Sequence, residues 1–362
     1  AFLREPPSTC PSRSASRARV HFPPPHRLRL DGDALVANWR TLARMGGDAA
    51  CGAAVKADGY GLGAREVVRR LARAGARDMF VSTWAEAAAL APLPDGISVS
   101  VLHGVRAEDM QAATRLPHKP VLNTPDQVRR WRDGGGGRPC DVMIDTGMNR
   151  LGLAPDAPLD GLAVDVLMSH LGCADEDLPM SARQRETLRG VAARVPHRRL
   201  SLANSAGTCL GPDYAFDLTR PGLALYGGVP RAEAAGRIAQ VAFPEAQILQ
   251  RRTVRAGESV GYNATWTAGQ DTAIAILNIG YADGLLRALS GRARALADEA
   301  VLPFVGRVSM DLIAIDVSAA PLLAEGDWVT IDYDLPRTAA LTGLSQYELL
   351  TGLGARLERV WV

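Results

Sequence analysis

The sequence predicts a parallel (β/α)8 barrel followed by a mostly β domain. Between residues 52 and 225, eight apolar runs of strand length alternate mostly with helical patterns, and such alternation is typical of a parallel barrel. After about residue 232 the apolar segments are β-like and are joined by Gly-containing turns. A length of 362 residues also fits two domains. On pattern alone, an open doubly wound sheet is the alternative to the barrel.

The barrel elements follow one another along the chain. Asp33 is the predicted N-cap of a first helix that extends through Leu42, with Leu35 and Trp39 on one face. The strand-length runs are 52–55, 79–82, 97–102, 120–122, 141–144, 164–168, 200–203 and 218–225. Helical patterns occur at 65–76, 85–93, 127–132 and 182–195. The runs are continuously apolar rather than alternating, as expected for strands of a parallel sheet.

The second domain is predicted from β-like segments with little helix between them. These segments are 247–254, 272–279, 302–308, 312–317 and 328–333. We therefore assign residues 27–235 to the barrel and residues 236–362 to the β domain. Residues 1–26 are rich in Ser, Arg and Pro and lack an apolar core, which predicts a disordered tail. An organelle transit peptide is the other interpretation of that composition.

Composition argues against several classes of partner. The net charge of +2 gives no reason to expect the clustered basic face of a nucleic-acid-binding protein. No apolar run approaches the ~18 residues of a membrane span. The five cysteines are scattered and odd in number, which favours reduced thiols in the cytoplasm over disulfides or a zinc site. We expect a cytoplasmic protein that uses no metal, nucleic acid or membrane.

Only two lysines, Lys56 and Lys119, are available for chemistry that needs an amine. Lys56 ends the first apolar run and precedes a Gly-rich turn, and the carboxyl ends of barrel strands face the active site. A partly desolvated lysine at such a place has a lowered pKa, so its free amine can form an imine. Lys119 is the competing candidate, but it lacks the Gly and Tyr surroundings of Lys56.

Eight blocks of this sequence resemble those of bacterial alanine racemases, and they occur in the family's order from about residue 27 to the end. The block around Lys56 resembles the family's pyridoxal-phosphate (PLP) attachment signature. The blocks are VKADGYG (55–61), IDTGMNRLG (144–152), MSH (168–170), ANS (203–205), RPGLALYG (220–227), VGY (260–262), IGYADG (279–284) and GRVSMD (306–311). One such block could arise by chance, but eight in order could not.

The resemblance implies a PLP-dependent racemase that interconverts L- and D-alanine and supplies D-alanine for peptidoglycan. It implies a head-to-tail homodimer with shared active sites. Lys56 would carry the cofactor as an aldimine and act as one base, and Tyr262 of the other subunit would be the base on the opposite face. A tyrosine hydroxyl holds its proton at neutral pH, so the family assigns His170 and Arg220 to assist it. Arg220 would also donate to the pyridine nitrogen.

The cofactor phosphate would be held by Tyr60, Ser205, Gly222 and Leu223. Loops after the seventh and eighth strands are the usual phosphate position of these barrels, and the N–H groups of a glycine approach an anion closely. The fold argument and the resemblance therefore agree on this end of the site.

The resemblance also predicts how the substrate is held. Arg150 and the backbone of Met310 would hold the substrate carboxylate, and Tyr281 would line the entrance. Taken alone, Met310 would be interpreted as a core residue and Tyr281 as an ordinary half-buried aromatic.

The sequence departs from the family pattern at two places. Many members carry a carbamylated lysine that orients the arginine of the carboxylate site, but that position here is Met143. We expect weaker organisation of Arg150, so that Met143→Lys would improve the substrate KM. Some members have another phosphate-binding tyrosine near the C-terminus, and residues 353–356 contain none.

Four other functions are weighed against alanine racemisation. A serine or broad-specificity racemase would use the same two bases. A non-catalytic PLP-binding protein built on a lone barrel would lack the β domain and Tyr262. A barrel-type decarboxylase of basic amino acids would have a catalytic cysteine near the C-terminus, whereas the last cysteine here is Cys209. A purely structural protein would not need a strand-end lysine with matched phosphate positions.

Overall fold

The computed structural model of this protein describes residues 22–362. Most of the predicted tail, residues 1–26, lies outside the described residues. The described chain forms a barrel of parallel strands and a separate antiparallel β domain, which confirms the predicted fold class. None of the described helices is long and apolar enough to cross a membrane.

The barrel strands follow the predicted order. Seven of them form one parallel sheet, and the eighth pairs with the start of the first. The strands are Ala50–Cys51 continued by Ala53–Ala54, Asp78–Val81, Ser98–Val101, Lys119–Leu122, Cys140–Met143, Val164–Met168, Arg199–Ser201 and Leu218–Thr219. The amide of Asp217 donates to the carbonyl of Leu200 at 3.0 Å, which brings the eighth strand beside the seventh and completes the barrel.

One helix precedes the first of these strands, and the others lie between the strands along the chain. They are Gly32–Met45, Ala64–Ala74, Trp84–Ala89, Met110–Arg115, Pro125–Gly134, Met180–Ala192, Ser205–Cys209 and Pro212–Ala215. The prediction of Asp33 as the first N-cap was wrong. Asp31 caps this helix, because its Oδ1 accepts from the amide of Ala34 at 2.8 Å. Asp33 lies in the first turn, where an acidic side chain is also favourable.

The apolar run 218–225 is not one long strand. Its strand is limited to Leu218–Thr219, and a short 3₁₀ helix occupies Leu223–Tyr226. Pro221 lacks an N–H, so it cannot extend the ladder. The change of backbone direction places the amides of Gly222 and Leu223 at the mouth of the barrel rather than in its wall.

The barrel interior changes from charged to apolar along its axis. At the amino ends of the strands, Lys119 pairs with Asp141 at 3.2 Å and with Asp165, and Arg199 pairs with Asp78. The next layer is an apolar cluster of Phe80, Val121, Met143, Val166, Met168 and Leu218. Charged and apolar side chains therefore fill the barrel interior, and the carboxyl ends of the strands open into the cavity that contains Lys56.

The β domain is an eight-stranded sheet. Its strands are Ala242–Val254, Thr272–Leu277, Arg294–Ala297, Ala300–Val305, Ile313–Asp316, Trp328–Ile331, Glu358–Trp361 and, from the other end of the chain, His26–Leu30. A separate hairpin pairs Ser259–Val260 with Trp266–Thr267. Two helices, Leu335–Thr342 and Gln346–Thr351, lie near the end of the chain. The second of these helices packs against the barrel mouth.

Candidate active site

Lys56 lies two residues after the end of the first barrel strand and lines a cavity of about 280 Å³ at the barrel mouth. The cavity is lined by Ala54, Lys56, Tyr60, Phe80, Leu102, Met143, Arg150, His170, Asn204, Ser205, Arg220, Gly222, Leu223 and Tyr347. Eight of the ten predicted site residues, Arg150 among them, therefore line one cavity. The predicted residues outside it are Tyr262 and Met310.

The backbone after Lys56 makes a left-handed turn. Ala57, Asp58, Gly59 and Tyr60 all have positive φ, at 52°, 52°, 64° and 57°. For residues other than glycine this conformation costs roughly 1–2 kcal/mol each, so the surrounding structure must hold it. The turn directs Tyr60 inward, where its side chain is 6% exposed.

Glu86 holds this turn from the neighbouring strand-to-helix junction. Its carboxylate accepts from the amide of Ala57 at 3.0 Å and from the amides of Ser82 and Thr83 at 2.6 and 3.2 Å. This role of Glu86 was not predicted from the sequence. Its signal was the capping box formed with Thr83, which marks a helix start but does not reveal that the same carboxylate reaches the residue after Lys56.

The electrostatic surroundings favour a free amine at Lys56. Burial lowers the pKa of Lys56 from its usual value, and the charge of Arg150 lowers it further, whereas Glu86 acts in the opposite direction. Burial, with the charges of Arg220, Arg150 and Lys56, lowers the pKa of His170 to about 3. His170 is therefore neutral at neutral pH and adds no charge to the cavity.

Arg220 lies buried at the base of the cavity. Its Nη2 donates to the carbonyl of Ser169 at 2.6 Å, and its Nη1 donates to the hydroxyl of Ser201. Its guanidinium carbon lies 5.9 Å from the centre of the Phe80 ring. Burial lowers the pKa of Arg220 to about 10, so the side chain still carries its proton at neutral pH and can donate toward a ligand.

The predicted phosphate residues form one end of the cavity. The hydroxyl of Ser205 accepts from the amides of Gly222 and Ala224 at 2.9 and 3.2 Å. A Cβ on residue 222 would collide with the hydroxyl of Tyr60 and press against Ala54. Only glycine fits here, because the backbone of residue 222 lies directly against the Tyr60 hydroxyl in the cavity wall.

Tyr347 supplies a C-terminal aromatic side chain to the cavity, at a position that was not predicted from the sequence. We expected no C-terminal tyrosine at the pocket because residues 353–356 contain none, but Tyr347 lines the cavity from the helix Gln346–Thr351. Its ring centre is 6.3 Å from that of Tyr60, which stacks on Tyr226 at 4.7 Å. The signal was the capping pair Ser345 and Glu348, which places a helix just before residues 353–356.

The cavity has the charge expected of a site for an anion. Its lining includes the cations Lys56, Arg150 and Arg220 and no carboxylate. An amine with a lowered pKa that shares a cavity with two arginines and the backbone of Gly222 fits PLP, which carries both an aldehyde and a phosphate. Met143 lines the same cavity and is 7% exposed, so the position of the family's carbamylated lysine is apolar here.

Tyr262 and Met310 lie apart from the Lys56 cavity of their own chain. Tyr262 lines a groove of about 770 Å³ on the β domain, and this groove shares no lining residue with the Lys56 cavity. The side chains of Tyr262 and Met310 are 64% and 53% exposed, and that of Tyr281 is 40% exposed. Within one chain, the structure therefore does not bring the two predicted bases together.

Lys119 lies at the wrong end of the barrel to compete with Lys56. It is the first residue of its strand, whereas Lys56 follows the last residue of its own. Its ammonium pairs with Asp141 and Asp165. Its position and partners indicate a structural role.

A barrel with a reactive lysine at its mouth, an anion-binding cavity and an appended β domain defines a barrel-type PLP enzyme. Comparisons with known proteins agree. The sequence model of the family described as alanine racemase, N-terminal domain, matches residues 30–230, and that of the C-terminal domain matches residues 241–361. The chain belongs to the alanine racemase family.

Individual relatives cover nearly the whole chain. An alanine racemase of Acidiphilium cryptum is 42% identical over 350 residues, which are 92% of this chain and 98% of the relative. One from Cereibacter sphaeroides is 44% identical over 346 residues, with 92% and 97% covered. The crystal structure of alanine racemase from Bartonella henselae with covalently bound pyridoxal phosphate has a TM-score of 0.85 at 33% identity and covers 94% of this chain and 100% of that one.

Proposed function

We propose that this protein racemises alanine with PLP bound to Lys56. The observation that carries the proposal is the cavity around the Lys56 amine. The amine has a lowered pKa, and it shares the cavity with two arginines and the backbone of Gly222. A PLP-dependent racemase needs such an amine at such a place. Membership of the alanine racemase family gives the reaction and the substrate.

The proposed cofactor contacts follow from the two ends of the cavity. Tyr60, Ser205 and the amides of Gly222 and Leu223 would hold the phosphate, and Tyr347 would close the same end from outside. Arg220 keeps its proton and would donate to the ring nitrogen. When bound, PLP withdraws electrons from the substrate α-carbon and so makes its proton acidic.

The two proposed bases act on opposite faces of the α-carbon. The Lys56 amine takes or returns the proton on one face, and the Tyr262 hydroxyl of a second copy does so on the other. Racemisation needs both faces, because a single base would return the proton to the side it came from. His170 lies in the Lys56 cavity as a neutral imidazole, so it could exchange a proton with the Tyr262 hydroxyl of the second copy.

Arg150 and the backbone N–H of Met310 would bind the substrate carboxylate. Arg150 is exposed and lines the cavity, so it can reach a small amino acid that enters from solvent. Met310 and Tyr281 would come from the second copy, with Tyr281 at the entrance. An entrance occupied by this tyrosine would favour a substrate with a small side chain, such as alanine.

The exposure of Tyr262 and Met310 supports a homodimer with shared active sites. Large apolar side chains are seldom exposed together unless they meet a partner or ligand, and these lie outside the cavity of their own chain. In a two-fold dimer each chain completes the other's site. We propose a cytoplasmic enzyme that supplies D-alanine for peptidoglycan, with a barrel at 27–235 and a β domain at 236–362, except that the strand His26–Leu30 joins the sheet of the β domain.

Mixed dimers test the shared site. Lys56→Ala and Tyr262→Phe chains carry different affinity tags, are expressed together, and are purified through both tags. Each variant alone is expected to be inactive as a racemase. The mixed dimer contains one site with both Lys56 and Tyr262, so it should recover about half of the wild-type activity. A mixed dimer without activity would contradict the proposal.

The cofactor assignment has its own test. Borohydride reduction of the holoprotein should fix the pyridoxyl group to Lys56, and peptide mass mapping identifies the residue. Fixation at Lys119, or at no lysine, would overturn the assignment.

A serine or broad-specificity racemase would share the same two bases. Loss of optical rotation is measured across a panel of L-amino acids, with alanine expected to give the highest kcat/KM. A higher value for serine would assign the substrate differently and leave the two bases unchanged.

A further inference from the structure

One guanidinium joins the two loops that carry Tyr281 and Met310. Arg356 forms a fork on Asp283, with Nε to Oδ1 at 2.8 Å and Nη2 to Oδ2 at 2.9 Å. Its remaining Nη1 donates to Oδ1 of Asp311 at 2.8 Å. Asp283 belongs to the block 279–284 and Asp311 to the block 306–311, so a single side chain spans both loops.

The two loops also pack directly on each other. The amide of Tyr281 donates to the carbonyl of Ser309 at 3.0 Å, and the amide of Ala282 donates to that of Met310 at 3.0 Å. A Cβ on Gly280 would collide with the carbonyl oxygens of Ser309 and Met310. The backbone of Met310 is therefore positioned by its contacts with the Tyr281 loop, and the two loops form one packed unit.

The buried end of this unit depends on Arg356 for its charge balance. Asp283 is fully buried and also accepts from the amide of Gly280 at 3.0 Å. The imidazole of His26 lies 3.7 Å from Oδ1 of Asp283, and neither of its ring nitrogens has a hydrogen-bond partner among the described residues. A buried carboxylate that loses its partner is strongly unfavourable, so the loop would rearrange without the arginine.

We propose that Arg356 is a positioning residue that fixes Met310 and Tyr281 for use in the active site of a second copy. The inference rests on the proposed shared site. Arg356 touches neither the Lys56 cavity nor its lining. Its effect would pass through the two aspartates to the loops and would reach the substrate only in the dimer.

Kinetics of Arg356→Gln give the first test. Met310 and Tyr281 are proposed to hold and admit the substrate, so the KM for alanine should rise about tenfold, while kcat changes by less than about threefold. PLP affinity, followed by absorbance, should stay unchanged because the cofactor cavity is intact. Arg356→Lys should recover part of the KM, since an ammonium can replace one arm of the fork but not both.

The matched control is Arg294→Gln. Arg294 is as exposed as Arg356, at 44% against 47% of the side chain, and its Nε donates to Asp332 at 2.6 Å in the same domain. Its KM should equal that of the wild type. If Arg356→Gln only lowered the thermal unfolding temperature and left KM unchanged, Arg356 would be structural and the proposal overturned. Should Arg356→Gln fail to fold, Asp311→Asn removes only the exposed arm and should still raise KM.

Mixed dimers decide whether the effect acts across the interface. In one arrangement, a Lys56→Ala chain is paired with an Arg356→Gln chain, so the only site with Lys56 receives loops with intact Arg356. In the other, both substitutions are on one chain paired with wild type, so that site receives the altered loops. The first dimer should show the wild-type KM and the second a KM raised about tenfold.

The outcomes separate this inference from the proposed function. Equal KM values in the two arrangements would overturn the inference for Arg356. The Lys56→Ala and Tyr262→Phe mixed dimer reports on the shared site independently. If that dimer were active while Arg356 had no effect, the shared site would stand and the inference alone would fail. If it were inactive, the proposed function itself would fail.

Discussion

Two charged side chains act on the Lys56 amine in opposite directions. Arg150 lowers its pKa by repulsion, whereas Glu86 raises it by attraction, and burial is the largest of the three influences. Glu86 is bound to three backbone amides, so its position is well defined. Burial lowers the pKa of Lys56 most, and Arg150 and Glu86 adjust it in opposite directions.

Arg150→Met and Glu86→Gln should therefore shift the pH profile of cofactor attachment in opposite directions. The amine reacts only above its pKa, so removing the positive charge raises the midpoint and removing the negative charge lowers it. The measurement is the rate at which the cofactor-free protein captures PLP as a function of pH. Arg129→Met, at an exposed ion pair on a barrel helix, is the control. Shifts in the same direction for both variants would disprove this account.

Met143 leaves the carboxylate site without the family's carbamate. Met143→Lys should lower the KM for alanine by about threefold once the new amine adds CO2 from bicarbonate and releases a proton to form a carbamate. The carbamate anion beside Arg150 would orient it through one partly exposed contact worth ~0.6 kcal/mol. Met143→Leu, which keeps the apolar wall, should leave KM unchanged. Steady-state kinetics in bicarbonate buffer measure both. An unchanged or higher KM for the lysine variant would count against the prediction.

At the scale of elements, the short backbone segment after the eighth strand lines the end of the cavity that is proposed to hold the phosphate. Gly222 precedes the 3₁₀ helix Leu223–Tyr226, and its amide donates to the hydroxyl of Ser205. The left-handed turn after Lys56 brings the Tyr60 hydroxyl against the backbone of Gly222. Both segments leave regular secondary structure at this point.

Gly222→Ala should weaken PLP binding by roughly tenfold to a hundredfold, because overpacking of this kind costs about 1–3 kcal/mol. The added Cβ would displace the Tyr60 hydroxyl from the phosphate end. Fluorescence titration of the cofactor-free protein gives the affinity.

Gly190→Ala is the matched control. Gly190 lies in the helix Met180–Ala192 with no atom near its missing Cβ, so alanine there should stabilise the helix by up to about 1 kcal/mol and leave PLP affinity unchanged. Equal PLP affinities for Gly222→Ala and Gly190→Ala would show that the cofactor does not bind beside residue 222.

At the scale of the whole molecule, the cofactor cavity and the second base belong to different surfaces. The Lys56 cavity is built within one chain, whereas Tyr262 lines a groove on the β domain of that chain. Holding the cofactor and catalysing racemisation should therefore depend differently on assembly.

Dilution should abolish racemase activity while PLP stays bound. As dimers dissociate, each chain keeps its Lys56 cavity but loses the partner's Tyr262, so specific activity falls with enzyme concentration. Activity, cofactor absorbance and sedimentation are measured over the same dilution series. Constant specific activity in a sample that sedimentation shows to be monomeric would contradict the shared site.

The sequence predicted the barrel well because its elements are local patterns. Continuous apolar runs mark buried parallel strands, and the predicted run 164–168 coincides with the strand Val164–Met168. The errors fell where one residue changes the local geometry. Asp31 rather than Asp33 caps the first helix, and Pro221 with Gly222 ends the last strand early. Such breaks depend on backbone contacts that a pattern of apolar residues does not contain.

The sequence by itself indicated Lys56 as the candidate amine, the order of the strands and the family, because these depend on residue identity and spacing. Only the tertiary structure decided that Glu86 supports the turn after Lys56, that Tyr347 reaches the cavity, that Lys119 is tied into ion pairs at the far end, and that Arg356 joins two loops. Each of these depends on which distant side chains meet in space. Chain folding sets those meetings, and no local pattern records them.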